Sequence, residues 1–125
     1  MKLQPDRSLA PTITGHGRGW VAVNGERIER SVVIASDGRR MDWPAATYEG
    51  LEAAHFALLA GLEVEVVIFG SGDRIRFPHP AWIAPLMARR IGVETMDTAA
   101  ACRTYNILAQ EGRTVAAALL LEAPD

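Results

Sequence analysis

Two short segments carry the residue types from which a binding site could be built: Gly70-Ser71-Gly72, and Asp97-Thr98 with Arg103 one turn further on. The glycines end an apolar run and let the backbone turn sharply while another group comes close. In open α/β sheets, ligands collect beyond the carboxyl ends of strands, where such a turn would lie. The segment reads first as a plain tight turn and second as the lip of a pocket. It is not a dinucleotide fingerprint, because no third glycine opens a following helix, and it is not a Walker loop. Asp97-Thr98 has the form of a helix N-terminal cap. A helix start also attracts anions, but Asp97 already supplies a negative charge, so capping is the favoured reading. Arg103 could hold a carboxylate or phosphate, or pair with an acid such as Asp97.

Nucleophilic and metal chemistry find little support. Cys102 shares a helical stripe with Tyr105 and Ala109, which suits a small buried filler better than a thiolate. Ser71, His79 and Asp97 can be combined on paper into a hydrolytic triad, yet Gly-Ser-Gly lacks the spacing of a nucleophile elbow. His16, His55 and His79 lie far apart, with no cysteine or second histidine at ligand spacing. No metal site, cofactor or catalytic set is therefore expected. His55 sits on the apolar face of its segment and is expected to be a core or boundary histidine with a hydrogen-bond partner. Glu49, Glu52, Glu63 and Glu65 read as solvent-facing charge.

These residues must be positioned by a chain of 125 residues, enough for one domain over 1–125 that buries roughly 65% of its unfolded surface. Residues 1–11 are expected to be a flexible leading segment, as are the last three. The net charge of −2 gives no general attraction to nucleic acid or anionic membranes. Arg39-Arg40, Arg89-Arg90 and the alternating Arg74 and Arg76 lack interleaved aromatics and read as solvated faces. One cysteine excludes an internal disulfide. No signal-peptide core is visible, and the apolar run Val115 to Leu121 is far short of the ~20 residues a membrane helix needs. A bacterial-type cytoplasm, or a mature matrix form, is the expected address.

The first third of the chain predicts a meander of short antiparallel strands. Trp20 to Val23 alternates, Asn24-Gly25 signals a hairpin, and a run from Arg27 to Ala35 follows. Asp37-Gly38 turns the chain again into Met41-Asp42-Trp43, which stops at Pro44. Tyr48, Leu51, His55, Leu58, Leu59 and Leu62 then predict a helix from about Tyr48 to Ala60. Val64, Val66, Val67, Ile68 and Phe69 form a mostly apolar run, as in a strand buried on both faces. Pro78 and Pro80 introduce a second helix with Trp82, Ile83, Leu86 and Met87 inward, closed near Gly92. Val93 to Met96 is a short strand.

Thr98 to Gln110 is the third helix, burying Ala101, Cys102, Tyr105, Leu108 and Ala109; its run Ala99-Ala100-Ala101-Cys102 implies close packing. Gly112 ends it and Thr114 to Leu121 is a central strand. The result is an α/β fold with helices on a mixed central sheet and an added N-terminal antiparallel β layer.

Several segments occur in an order that resembles a known family. They are Val23-Asn24-Gly25, Trp43, Phe69-Gly70-Ser71-Gly72, Pro78, Met96-Asp97-Thr98, Ala100 to Asn106, and Glu111-Gly112-Arg113 followed by Val115 to Leu119. Together they resemble the small domains of unknown function that include mitochondrial complex I assembly factor 3. The family's glycine turn is often Gly-Thr-Gly, so Ser71 departs mildly and keeps a hydroxyl. The resemblance implies a three-layer fold in which one strand of the central sheet runs antiparallel to the others. It implies no established catalytic residues. It links relatives to assembly of the respiratory NADH dehydrogenase and to adipocyte differentiation.

Three functions are consistent with these readings. The first is a non-enzymatic protein-interaction or assembly-factor-like module. The second is a small-ligand or anion binder, or an unrecognised enzyme, using Gly70, Ser71, Gly72, Asp97, Thr98 and Arg103. The third is self-association through an exposed tryptophan (Trp20, Trp43 or Trp82) or an uncovered meander edge.

Overall fold

The computed structural model describes residues 10–124. Its strands are β1 (Ile13–Gly17), β2 (Trp20–Val23), β3 (Glu26–Ile28), β4 (Val32–Ala35), β5 (Arg40–Asp42), β6 (Val66–Gly70), β7 (Gly92–Met96) and β8 (Val115–Leu119). Its helices are α1 (Ala53–Ala57), extended by a 3-10 turn over Leu58–Gly61, then α2 (Pro80–Ala88) and α3 (Thr98–Gln110). The expected flexible segment over 1–11 falls outside the described residues except at its end. There, the Pro11 carbonyl accepts a 2.9 Å hydrogen bond from the Tyr105 hydroxyl.

Two sheets form. β1, β2 and β3 make a small antiparallel sheet, and the central sheet has the order β5-β4-β8-β6-β7. β6, β7 and β8 are mutually parallel, β4 is antiparallel to β8, and β5 is antiparallel to β4. β4 is thus the single inverted strand. Residues of β8 alternate strictly between two cores: Val115, Ala117 and Leu119 face one, Ala116 and Ala118 the other. Both faces are covered, which is why the run is apolar at every position.

One face packs against α3 and the small sheet through Ile13, Val21, Val23, Ala101, Cys102 and Tyr105. The other packs against α1, the 3-10 turn and α2. On that side Trp43, Phe56 and Phe69 meet edge to face, with centroids 5.3–5.9 Å apart. Such pairs add about 0.5–1.5 kcal/mol beyond area burial. Layers of helix, mixed sheet, and helix with small sheet give the α/β architecture expected from the alternation of elements.

Three local expectations need correction. The run from Arg27 to Ala35 is not one strand but β3 and β4, which belong to different sheets. The chain crosses at Ser31, whose hydroxyl accepts from the Leu121 amide at 2.8 Å. The helix expected over Tyr48 to Ala60 is helical only from Ala53. The Gly50 amide instead closes a turn onto Thr47, and the Tyr48 amide is taken by the Glu122 carboxylate at 2.8 Å. Met87, expected inward, is 63% exposed, because the buried stripe of α2 runs through Leu86 with Trp82 and Ile83 packed beside it.

β1 has no counterpart among the strands that the sequence predicts. Its free edge is closed by one side chain: Asn106 on α3 accepts from the Ile13 amide at 2.9 Å and donates to the Ile13 carbonyl at 2.8 Å. A single amide group stands in for a neighbouring strand.

Candidate functional site

The glycine turn and the start of α3 come into direct contact. The strand β6 runs out at Gly70, and parallel pairing with β7 and β8 brings the starts of the following segments to the same sheet end. A side chain at Gly70 would lie 3.0 Å from both the Ala101 Cβ and the Thr98 Cα, so any residue but glycine would push these neighbours apart. The Thr98 hydroxyl accepts from the Gly72 amide at 2.9 Å and donates to the Leu120 carbonyl at 3.0 Å. The Thr98 amide returns a 2.8 Å bond to the Gly72 carbonyl. Thr98 therefore ties β6, β8 and α3 together at a buried point.

Ser71 is fully buried and its hydroxyl is occupied. It reaches the Arg74 carbonyl at 2.8 Å and the Met96 carbonyl at 3.2 Å, and it accepts from the Arg76 amide at 2.8 Å. None of these partners is a histidine. His79 instead caps α2, its Nδ1 accepting from the Ala81 amide at 3.1 Å. Asp97 caps α3 through a 2.7 Å bond from the Ala100 amide. The paper triad of Ser71, His79 and Asp97 is thus three separate local hydrogen-bonding roles.

The Ser71 turn is braced from outside by Arg76, a residue expected in solvent. Its side chain is only 14% exposed. The guanidinium donates to the Ser71 carbonyl at 2.7 Å and to the Glu122 carboxylate at 2.6 Å, and lies 4.7 Å from the centre of the Tyr48 ring. Burial alone would raise the Glu122 carboxyl. The hydrogen bond from the Tyr48 amide, then that from Arg76, outweigh burial and hold the group below the ordinary carboxylate value. The Tyr48 hydroxyl continues the network to the Phe77 carbonyl at 2.6 Å. Gly72, at φ +105°, sits where a side chain would run into Arg76 and Glu122.

Outside this braced corner lies an open cleft of about 420 Å³ lined by His16, Arg18, Gly72, Asp73, Asp97 and Thr98, together with Gly17 and Ala99. Two of these lining residues, Arg18 and Asp73, form an exposed ion pair at 2.9 Å. Of the six residues singled out by sequence, Gly72, Asp97 and Thr98 line the cleft, whereas Gly70 and Ser71 lie buried behind it. Arg103 is exposed on α3, is not among the lining residues, and has no ion-pair partner among the described residues. Cys102 is 1% exposed, and burial pushes its thiol up to about 12, which leaves it protonated and inert at neutral pH. His55 is half-buried, the boundary position rather than the core one, and accepts from the Glu52 amide at 2.9 Å. Among the described residues, no group of three or more His, Cys, Asp or Glu side chains could hold a metal ion.

A family model described as "Protein of unknown function (DUF498/DUF598)" matches residues 13–120, from the first strand to the residue after the last. The chain belongs to this family. Its similarity extends to NADH dehydrogenase [ubiquinone] 1 alpha subcomplex assembly factor 3 of Bos taurus, 32% identical over 94% of this chain and 65% of the relative. The Mus musculus protein of the same name is 34% identical over 94% of the chain and 64% of its own length. The chain thus spans a little under two thirds of these curated relatives. Among solved structures, a Bordetella parapertussis protein superposes with a TM-score of 0.84 at 39% identity, covering 90% of this chain and 97% of that one. A Bordetella pertussis protein described as an Mth938-like domain gives 0.82 at 33%, covering 100% and 95%.

In this DUF498/DUF598 member, the residues that sequence reasoning missed are Arg76, Glu122, Tyr48 and Asn106. Arg76 and Glu122 stand 46 positions apart, and neither belongs to an apolar periodicity. The only available signal was that Arg76 follows a glycine turn that must itself be held in place.

Proposed function

We propose that the protein is a non-enzymatic interaction module that assists assembly of a multisubunit complex by presenting surface. The observation that carries this reading is the loop between β6 and α2. It is held from within by Ser71, Arg76, Tyr48 and Glu122, yet it displays Ile75 at 50% and Phe77 at 65% exposure. Apolar side chains held out on a rigid support lose little entropy when covered, which favours their use as docking anchors. The polar groups most capable of chemistry, the Ser71 and Thr98 hydroxyls, are engaged in internal hydrogen bonds. The names of the curated relatives, assembly factors of NADH dehydrogenase, point the same way for those proteins. The reading includes a protein partner, no nucleic acid and a cytoplasmic address. Among the described residues, no helix is long and apolar enough to cross a membrane.

The test is affinity purification from the native cell under mild conditions, comparing the wild type with Phe77→Ser. A defined partner recovered with the wild type and lost with the variant, at unchanged melting temperature, supports the reading. A partner-free wild type overturns it.

A second reading, small-anion binding, rests on the cleft beside Gly72, Asp97 and Thr98. Asp73 and Asp97 offset the charge of Arg18 there, which weakens the attraction for an anion. Amide chemical shifts of Gly72 and Ala99 that stay fixed on titration with phosphate would remove this reading.

A further inference from the structure

We propose that β5 pairs antiparallel with β5 of a second copy about a two-fold axis through Met41, joining the two central sheets edge to edge. β5 is an outer strand of the central sheet. Hydrogen bonds from Trp43 to the Ser31 carbonyl at 3.0 Å and from Ala35 to the Arg39 carbonyl at 2.9 Å fix the phase of its pairing with β4. In an antiparallel ladder, alternate residues point their peptide groups inward. Arg39, Met41 and Trp43 are therefore committed to β4, and Arg40 and Asp42 carry their N–H and C=O groups toward the open side.

Those two residues have opposite charges. A two-fold centred on Met41 sets Arg40 opposite Asp42 of the second copy, and Asp42 opposite its Arg40, so both outward peptide pairs bond and both charge pairs attract. Centring on Arg40 would set arginine against arginine, and centring on Asp42 would set aspartate against aspartate. Charged edge residues ordinarily keep strands apart; here one register converts them into complements. The row continues inward on each copy, because Arg40 already holds Glu26 at 3.0 and 3.1 Å and Asp42 holds Arg30 at 3.3 Å. In the pair, Glu26, Arg40, Asp42 of the second copy and its Arg30 alternate in sign.

The other face of β5 suits the same arrangement. Met41 and Leu58, 37% and 47% exposed, border a groove of about 450 Å³ whose floor includes Val33, Ala35 and Leu62. Both copies' Met41 side chains fall on this side, so pairing covers apolar surface that the 3-10 turn leaves open. Two of the other edges fit less well. Asn106 closes β1, and a two-fold centred on β7 would oppose Glu94 to Glu94.

The pairing can be read by disulfide cross-linking of Met41→Cys. Residues facing each other in a non-hydrogen-bonded antiparallel pair have Cα atoms about 4.5 Å apart, within disulfide range. Under mild oxidation Met41→Cys should form a covalent dimer at least tenfold faster than Ile107→Cys, a control for random collision on exposed α3. Adding Arg40→Asp, or separately Asp42→Arg, should slow the cross-link to the control rate, and mixing the two doubly substituted chains should restore it. A Met41→Cys rate equal to the control, or one unmoved by either charge reversal in chains with wild-type melting behaviour, would overturn the proposal.

Discussion

Gly72 and Thr98 hold each other twice. The Gly72 amide donates to the Thr98 hydroxyl at 2.9 Å, and the Thr98 amide donates to the Gly72 carbonyl at 2.8 Å. The same hydroxyl satisfies the Leu120 carbonyl. Thr98→Val keeps the shape of the side chain and leaves a buried donor and acceptor without partners, which costs about 1–3 kcal/mol for each group. The expected outcome is a large fall in the urea midpoint, with Thr98→Ser retaining most of the stability. Equal stability of Thr98→Val and wild type would contradict the double tie.

The α3–sheet contact leaves no room for growth. Gly70→Ala would bring a methyl to 3.0 Å from backbone at Thr98, and Ala101 is fully buried against the same spot. Gly70→Ala and Ala101→Leu are each expected to lower stability by about 1–3 kcal/mol through overpacking. Thermal melts of the two variants check this, and an unchanged melting temperature would mean that the helix is free to shift.

Acid should loosen the Arg76 brace. The Glu122 carboxyl titrates lower in the folded chain than in the unfolded one, because hydrogen bonds from Tyr48 and Arg76 outweigh its burial. A lowered folded value means that the stabilisation is complete above the unfolded value and fades as pH falls through the folded one. Glu122→Gln should therefore reduce stability at neutral pH and flatten its decline as pH falls through and below the ordinary carboxylate range. Parallel acid limbs in denaturant titrations of the variant and wild type would refute the role given to this carboxylate.

Cys102 is expected to resist thiol reagents. Burial holds its thiol up at about 12, so at about pH 8 almost no thiolate forms. Labelling by an aromatic disulfide reagent should follow the unfolding rate and accelerate with denaturant. Rapid labelling of native protein would place the α3 interface among locally opening regions.

What the sequence made legible follows the reach of each signal. α3 was bounded correctly because Asp97 and Gly112 are local end markers for it. β6 and β8 were visible because burial on both faces removes every polar residue from the run. The glycine turn and the helix start each carry a local signal, whereas the groups that hold them carry none. Arg76 and Glu122 meet across 46 residues, and a charged side chain looks the same in sequence whether solvated or buried. Periodicity misled at Tyr48, where apolar spacing persisted through a turn set by Thr47, Gly50 and Glu122. It was silent at β1, a strand of Ile-Thr-Gly-His-Gly whose edge depends on Asn106, 93 positions away.

The place of β8 between β4 and β6 bears on how the molecule is made. β4 and β6 do not pair with one another, so the two halves of the central sheet share no backbone bonds until β8 slots between them. Of the eight described strands, this keystone is the last to leave the ribosome. A nascent chain must then carry the β4–β5 ladder unpaired from Asp42, and the β6–β7 ladder from Met96, until β8 emerges, a window in which chaperones have something to hold.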